Sequence, residues 1–254
     1  MSLYVDKLGH GPDLVLFHGW GLHGGLFRPV IDALSWQFTL HLVDLPGHGR
    51  STLPAGDYTL TALAREIADH VPPHACWLGW SLGGRVALQA AADHHAISRI
   101  ILVGTNPCFV QREGWPHAMP ESELLQVAAS LHSDYKLTLQ RFLAVQSRGS
   151  ERGREELRAM RGELFEHGEP DRAALAGGLD ILRSVDLRPL LPTIQQPTLV
   201  LHGRRDTLAP LAAAEYSVAQ LPHATLRVIN GAGHAPFISH PDEFVAAIEE
   251  FMHG

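Results

Sequence analysis

Gly79-Trp80-Ser81-Leu82-Gly83 constrains this chain more than any other five residues. A short apolar run, Ala75-Cys76-Trp77-Leu78, precedes it, and a helix-like stretch from Arg85 to Ala91 follows. In the order strand, G-x-S-x-G, helix, this motif is a sharp turn that lifts a serine hydroxyl clear of the backbone. The turn is strained. Strand and helix can close on each other only if the residues two before and two after the serine lack bulk, which glycine provides. The helix start behind Ser81 also aims backbone N–H groups at any negative charge that develops there. Ser81 is therefore a candidate nucleophile.

A serine hydroxyl is a poor nucleophile at neutral pH. It needs a base, and the base needs an acid to fix its tautomer and stabilise its charge. On strand-turn-helix scaffolds of this kind the chain order is serine, acid, histidine, with the last two on loops after late strands. Asp206 follows the strand-like Thr198-Leu199-Val200-Leu201, and His234 follows the next one, Thr225 to Ile229, in a glycine-rich turn. Asp180 and Asp186 follow no strand and are weaker candidates for the acid. An oxyanion would need two backbone donors. Leu82 supplies one, directly after the serine, and Trp20, in the His18-Gly19-Trp20-Gly21 loop, supplies the other, its indole lining the pocket.

Along the chain, strand-like and helix-like segments alternate. Leu14 to Phe17, Thr39 to Val43 and Ile97 to Val103 read as strands. Thr59 to Val71 has helical spacing, with Asp57 or Thr59 as its cap, and Leu211 to Leu221 and Asp242 to Met252 also read as helices. Short buried strands separated by helices predict an α/β fold with a mostly parallel sheet, helices on both faces, and ligands at the carboxyl ends of the strands. The rhythm breaks between residues 107 and 186. That interval holds helical stretches at Glu121–Leu131, Tyr135–Val145 and Glu151–Phe165 but no convincing strand. It reads as a helical lid inserted into a single domain whose core is residues 1–106 and 187–254.

Composition excludes several classes. A formal net charge of -7 argues against general nucleic-acid or membrane-surface binding. Two cysteines, Cys76 and Cys108, make no disulfide framework. The first seven residues lack a basic region followed by an apolar core, so the expected location is the cytoplasm. The 17 histidines are scattered without metal-ligand spacing, and neither metal nor cofactor is expected.

Together these motifs resemble the α/β-hydrolase superfamily. Four stretches, His18 to Leu22, Leu42 to Ser51, Trp77 to Gly84 and Gly233 to Pro241, resemble a narrower branch, the esterases that remove the methyl group from a pimeloyl chain on acyl carrier protein in biotin synthesis. So do Asn106 to Phe109, Arg141 to Gln146 and Gly177 to Leu182 within the insertion. The resemblance implies an α/β-hydrolase fold, Ser81 as nucleophile, Asp206 as orienting acid, His234 as base and the Trp20 and Leu82 amides as the oxyanion hole. It implies that Phe142, Leu143, Ala144, Val145 and Gln146 line an acyl channel, and that Asp44 is a structural turn residue. Arg154, Arg158 and Arg161 fall at i, i+4 and i+7 on one helical face, Arg141 and Arg148 at i and i+7 on another, with Arg152 nearby. With the resemblance, these six arginines are expected to dock the acidic carrier protein, although Glu151, Glu155 and Glu156 interleave with them. A monomer is expected. The rival readings are a broad carboxylesterase or lactonase on small free esters, and a ligand receptor on the same scaffold with little turnover.

Overall fold

A computed structural model describes residues 2–254; Met1 lies outside them. Seven strands form one sheet: β1 (Val5–Gly9), β2 (Asp13–Phe17), β3 (Thr39–Val43), β4 (Ala75–Trp80), β5 (Ile97–Val103), β6 (Thr198–Gly203) and β7 (Ala224–Ile229). Their order across the sheet is β1-β3-β2-β4-β5-β6-β7. Only β1 runs antiparallel, pairing Val5 with Val43 and Gly9 with Thr39. From β3 to β7 every pairing is parallel. The helices are α1 (Arg28–Ser35), α2 (Leu60–Ala68), α3 (Leu82–Ala92), α4 (Glu121–Ser133), α5 (Tyr135–Gln146), α6 (Gly153–Glu163), α7 (Arg172–Ser184), α8 (Leu211–Gln220), α9 (Pro236–Ser239) and α10 (Pro241–His253).

The central strands are mostly apolar because over most of their length neither face meets water. Leu14, Val15, Leu16 and Phe17 on β2 have no exposed surface. Each such side chain contributes about 1.5–3 kcal/mol by its burial. Thr59 is the cap of α2, its hydroxyl accepting from the Ala62 N–H at 3.2 Å. Three elements lie outside the segments assigned from the sequence. Edge strand β1 is half-charged, α1 opens with Arg28-Pro29, and α7 carries Gly177 and Gly178 in its interior. The glycines in α7 lower its helix propensity, yet packing demands them. A Cβ on Gly178 would lie 2.6 Å from Trp20 Cδ1, and one on Gly177 the same distance from Tyr58 Cδ1.

Between β5 and β6 the chain runs through α4, α5, α6 and α7. The two ends of this excursion meet: Leu187 N–H donates to Pro107 O at 2.9 Å, and Cys108 bridges Asp186. Arg85, on α3 and 1% exposed, pins both ends. Its Nη1 donates to Asn106 O at 2.8 Å and its Nη2 to Val185 O at 2.7 Å. Burial pushes the guanidinium down to about 10, with Cys108 and Asp186 opposing and Arg112 adding to the shift. It therefore stays charged at neutral pH. Replacing it should strand two buried carbonyls at about 1–3 kcal/mol each. Arg85→Ala is expected to lower unfolding free energy in urea by at least about 2 kcal/mol on that basis. A variant as stable as the parent would show that Arg85 does not hold the insertion's root.

Candidate active site

The turn after β4 is built as its glycines require. Ser81 has φ 55° and ψ -113°, one of only three non-glycine residues with positive φ among those described. A Cβ at Gly79 would collide with the backbone of Gly83, and one at Gly83 would lie 2.5 Å from Phe17 O. Ser81 N–H donates to Val103 O at 2.9 Å, tying the turn to the end of β5. The serine itself is half-buried.

Asp206 and His234 meet on the loops after β6 and β7. His234 Nδ1 donates to Asp206 Oδ2 at 2.7 Å, and both side chains are almost wholly buried. The other oxygen, Asp206 Oδ1, accepts from the Leu208 and Ala209 N–H groups at 2.9 Å each. Burial raises the Asp206 carboxyl, but the charge of His234, its hydrogen bond, His202 and the Ala209 amide outweigh that and hold it below the usual carboxylate range. It is thus an anion aimed at one imidazole nitrogen. The opposite nitrogen, His234 Nε2, is buried and makes no hydrogen bond among the described residues. Trp80, the residue before Ser81, draws the histidine loop onto the serine turn. Its indole Nε1 donates to His234 O at 2.8 Å, and the two rings sit 5.4 Å apart. Such a buried, oriented imidazole with a free nitrogen can take and return a proton.

Leu82 is the first residue of α3, so its N–H has no partner within the helix. Trp20 is buried, its Nε1 donating to Leu175 O on α7 at 2.8 Å and its ring edge-on to Phe142 at 5.0 Å. The indole thereby fastens the loop bearing the Trp20 amide to the insertion. His18 holds that loop from the other side. The Leu45 N–H donates to His18 Nε2 at 2.8 Å, which leaves Nδ1 protonated to donate to Gly19 O at 2.7 Å.

On α5, Phe142 and Val145 line a cleft of roughly 530 Å³ together with Arg141 and Arg148, a cleft whose lining includes none of Ser81, Leu82, Trp20 and His234. Leu143 and Gln146 are buried behind it and Ala144 is half-buried, so the five expected channel residues divide between cleft wall and interior. All six arginines are exposed. Arg152 is partly committed, donating from Nη1 to Ser239 O at 2.9 Å. The interleaved acids are fewer than the spacing implied. Glu156 is wholly buried and Glu151 is paired with Arg205 at 2.8 Å. Asp44 behaves as a turn residue, accepting from Gly24 N–H at 2.8 Å and from Arg50 Nε at 2.9 Å. Asp180 and Asp186 pair with Arg183 and Arg188. No group of three or more His, Cys, Asp or Glu among the described residues could hold a metal ion. No helix among them is long and apolar enough to cross a membrane.

The alpha/beta hydrolase family profile matches residues 14–247. The chain belongs to that family. A pimeloyl-[acyl-carrier protein] methyl ester esterase of Xanthomonas oryzae pv. oryzae is 44% identical over 250 residues, 98% of each chain. One from Stenotrophomonas maltophilia is 45% identical, over 98% of this chain and 96% of its own. Among solved structures, an esterase from Exiguobacterium antarcticum superposes with a TM-score of 0.90 at 26% identity, covering 99% of this chain and 96% of that one. The enol-lactonase of Burkholderia xenovorans reaches 0.84 at 25%, with 99% and 96% covered. Two features that position the site lie outside the sequence motifs: the Leu175 carbonyl that holds Trp20, and His202, whose Nε2 lies 3.7 Å from Asp206 Oδ2. The pattern His202-x-x-x-Asp206 was the available signal for the second.

The histidines around the Trp20 loop make stability depend on pH. Burial pushes His18 down to about 3, with His48 adding and Asp44 opposing; burial likewise pushes His48 down to about 4, against its Pro46 hydrogen bond. Both are neutral in the fold but gain a proton when unfolded below their ordinary 6.5. Their contribution is complete above that pH and is lost as pH falls toward the folded values, with a slope up to about 1.4 kcal/mol per pH unit for each histidine. Urea unfolding at pH 7 and pH 5 should show the loss, with a shallower slope in His48→Gln. Equal stability at the two pH values would contradict it.

Proposed function

We propose that this chain hydrolyses the methyl ester of a pimeloyl chain carried on acyl carrier protein, releasing methanol in biotin synthesis. The Asp206–His234 hydrogen bond, with Nε2 left free beside the serine turn, carries the reading, and full-length similarity to the named esterases supports it. His234 Nε2 takes the Ser81 proton as Oγ attacks the ester carbonyl. The tetrahedral oxyanion faces the Trp20 and Leu82 amides, each worth on the order of 10²–10³ in turnover. His234 returns the proton to the leaving methoxide, so methanol departs and an acyl-enzyme remains. Water then gives a proton to His234 as its oxygen attacks the acyl carbon; the acyl–Oγ bond breaks, His234 passes that proton to Ser81 Oγ, and the free pimeloyl carboxylate leaves. Side chains and water account for every bond and proton, and the reaction calls for no cofactor. Asp206 stabilises the imidazolium at both stages.

The helices α4–α7 act as the lid. Phe142, which packs against the Trp20 indole, supports the reading of Phe142, Leu143, Ala144, Val145 and Gln146 as the segment that borders the acyl chain. The arginines Arg141, Arg148, Arg154, Arg158 and Arg161 make no ion pair among the described residues, which leaves them free for an acidic partner. The burial of Glu156 and the pairing of Glu151 strengthen that face. The proposal takes the chain to act as a monomer in the cytoplasm.

Hydrolysis of the carrier-bound ester against the same ester free tests chemistry and partner together. Arg154→Glu with Arg158→Glu should lower kcat/KM on the carrier-bound ester about tenfold or more, and rising salt should act likewise. The free ester should change less than about twofold. Equal losses on both substrates would remove the docking role. Ser81→Ala should abolish turnover of either ester, and persistent activity would remove the nucleophile.

A further inference from the structure

The loop joining α5 to α6 touches both catalytic loops at once. A Cβ on Gly149 would collide with Arg205 O and lie 3.1 Å from Thr207 Cγ2, the two neighbours of Asp206. Glu151 N–H donates to Gly231 O at 2.9 Å, and its carboxylate pairs with Arg205. A Cβ on Gly233, next to His234, would lie 3.0 Å from Ser150 Cβ. Arg152 ties the same loop to Ser239, beyond His234.

Inside this clasp stands Glu156, on α6, with no exposed surface. Its Oε1 accepts from Ser150 Oγ at 2.7 Å, and Ser150 Oγ accepts from the Arg152 N–H at 3.2 Å. Its Oε2 has no hydrogen-bond partner among the described residues. A carboxyl stripped of water with one oxygen unmatched is costly. A polar group kept at such cost beside an active site is there for what it holds.

We propose that Glu156 is a positioning residue for His234: by its hydrogen bond to Ser150 it stiffens the clasp that sets the histidine and aspartate loops against each other. The proposal rests on the triad reading of Ser81, His234 and Asp206. What the geometry asks of the carboxyl is an acceptor oxygen for the Ser150 hydroxyl. Burial pushes its pKa up, opposed by the Ser150 hydrogen bond and the nearby His234 and reinforced by Asp206. Loosening the clasp misaligns Nε2 with the serine without touching the substrate, so kcat falls and KM does not.

The test measures kcat and KM on a short p-nitrophenyl ester, with pH profiles, for Glu156→Ala, Ser150→Ala, Glu156→Gln and Ser81→Ala. Glu156→Ala and Ser150→Ala should each lower kcat about tenfold or more, within the range that small misplacements cost, with KM held within about twofold. Glu156→Gln keeps an oxygen for Ser150, so it should recover kcat to within about twofold and leave the acidic limb of the profile unmoved. Parental kcat in both alanine variants would overturn the proposal. So would a glutamine variant as slow as the alanine one, or one whose acidic limb is displaced, which would make the charge the active feature. If circular dichroism shows Glu156→Ala unfolded, Ser150→Ala decides alone. Turnover surviving in Ser81→Ala would instead strike the triad reading itself.

Discussion

Holding a serine at φ 55° costs on the order of 1–3 kcal/mol in backbone strain, and the surroundings of Ser81 exist to sustain that conformation. Gly79 and Gly83 let β4 and α3 approach until no side chain would fit between them. The Ser81 N–H bonded to Val103 O closes the turn against β5. The same geometry turns the start of α3, and with it the Leu82 N–H, toward whatever is attached to the hydroxyl. Strand order then does the rest. With β4 at the centre and β6 and β7 beyond β5, the loops bearing Asp206 and His234 come up on the same edge of the sheet.

Chemistry and control belong to different parts of the chain. The proposed nucleophile, acid and base sit on loops anchored in the sheet, while the helices between β5 and β6 touch those loops from above. Trp20 hangs from the Leu175 carbonyl, the α5–α6 loop clasps the histidine and aspartate loops, and Arg85 fixes the root of the whole insertion. Anything that binds the exposed arginines of α5 and α6 presses on elements in contact with the triad loops.

Where residue type reports directly on geometry, the sequence was legible. The elbow glycines, the strand-end positions of Asp206 and His234 and the Thr59 cap can each be read from local pattern, and each element lies where its pattern puts it. What escaped was decided by tertiary contact. Helix α7 hides behind Gly177 and Gly178, glycines kept for Trp20 and Tyr58 against helix propensity. Strand β1, Val5–Gly9, lacks the apolar run of a buried strand because it is an edge. Glu156 looked like one more charge on a solvated face, since i, i+4 spacing among arginines gives no sign that one glutamate turns inward. The channel residues were legible as a segment but not by face, because the buried side of α5 includes polar Thr138 and Gln146, so polarity does not mark which residues turn inward.

The claim beneath all of this is that Ser81 Oγ, His234 and the Trp20 and Leu82 amides meet around one carbonyl carbon. A crystal structure of the protein after reaction with a methyl alkylphosphonate ester, a mimic of the tetrahedral intermediate, tests it most directly. The account predicts phosphorus bonded to Ser81 Oγ, with its oxygen about 2.7–3.1 Å from both amide nitrogens and His234 Nε2 turned to the leaving-group side. An adduct on another residue, or a phosphonyl oxygen turned away from the two amides, would contradict it.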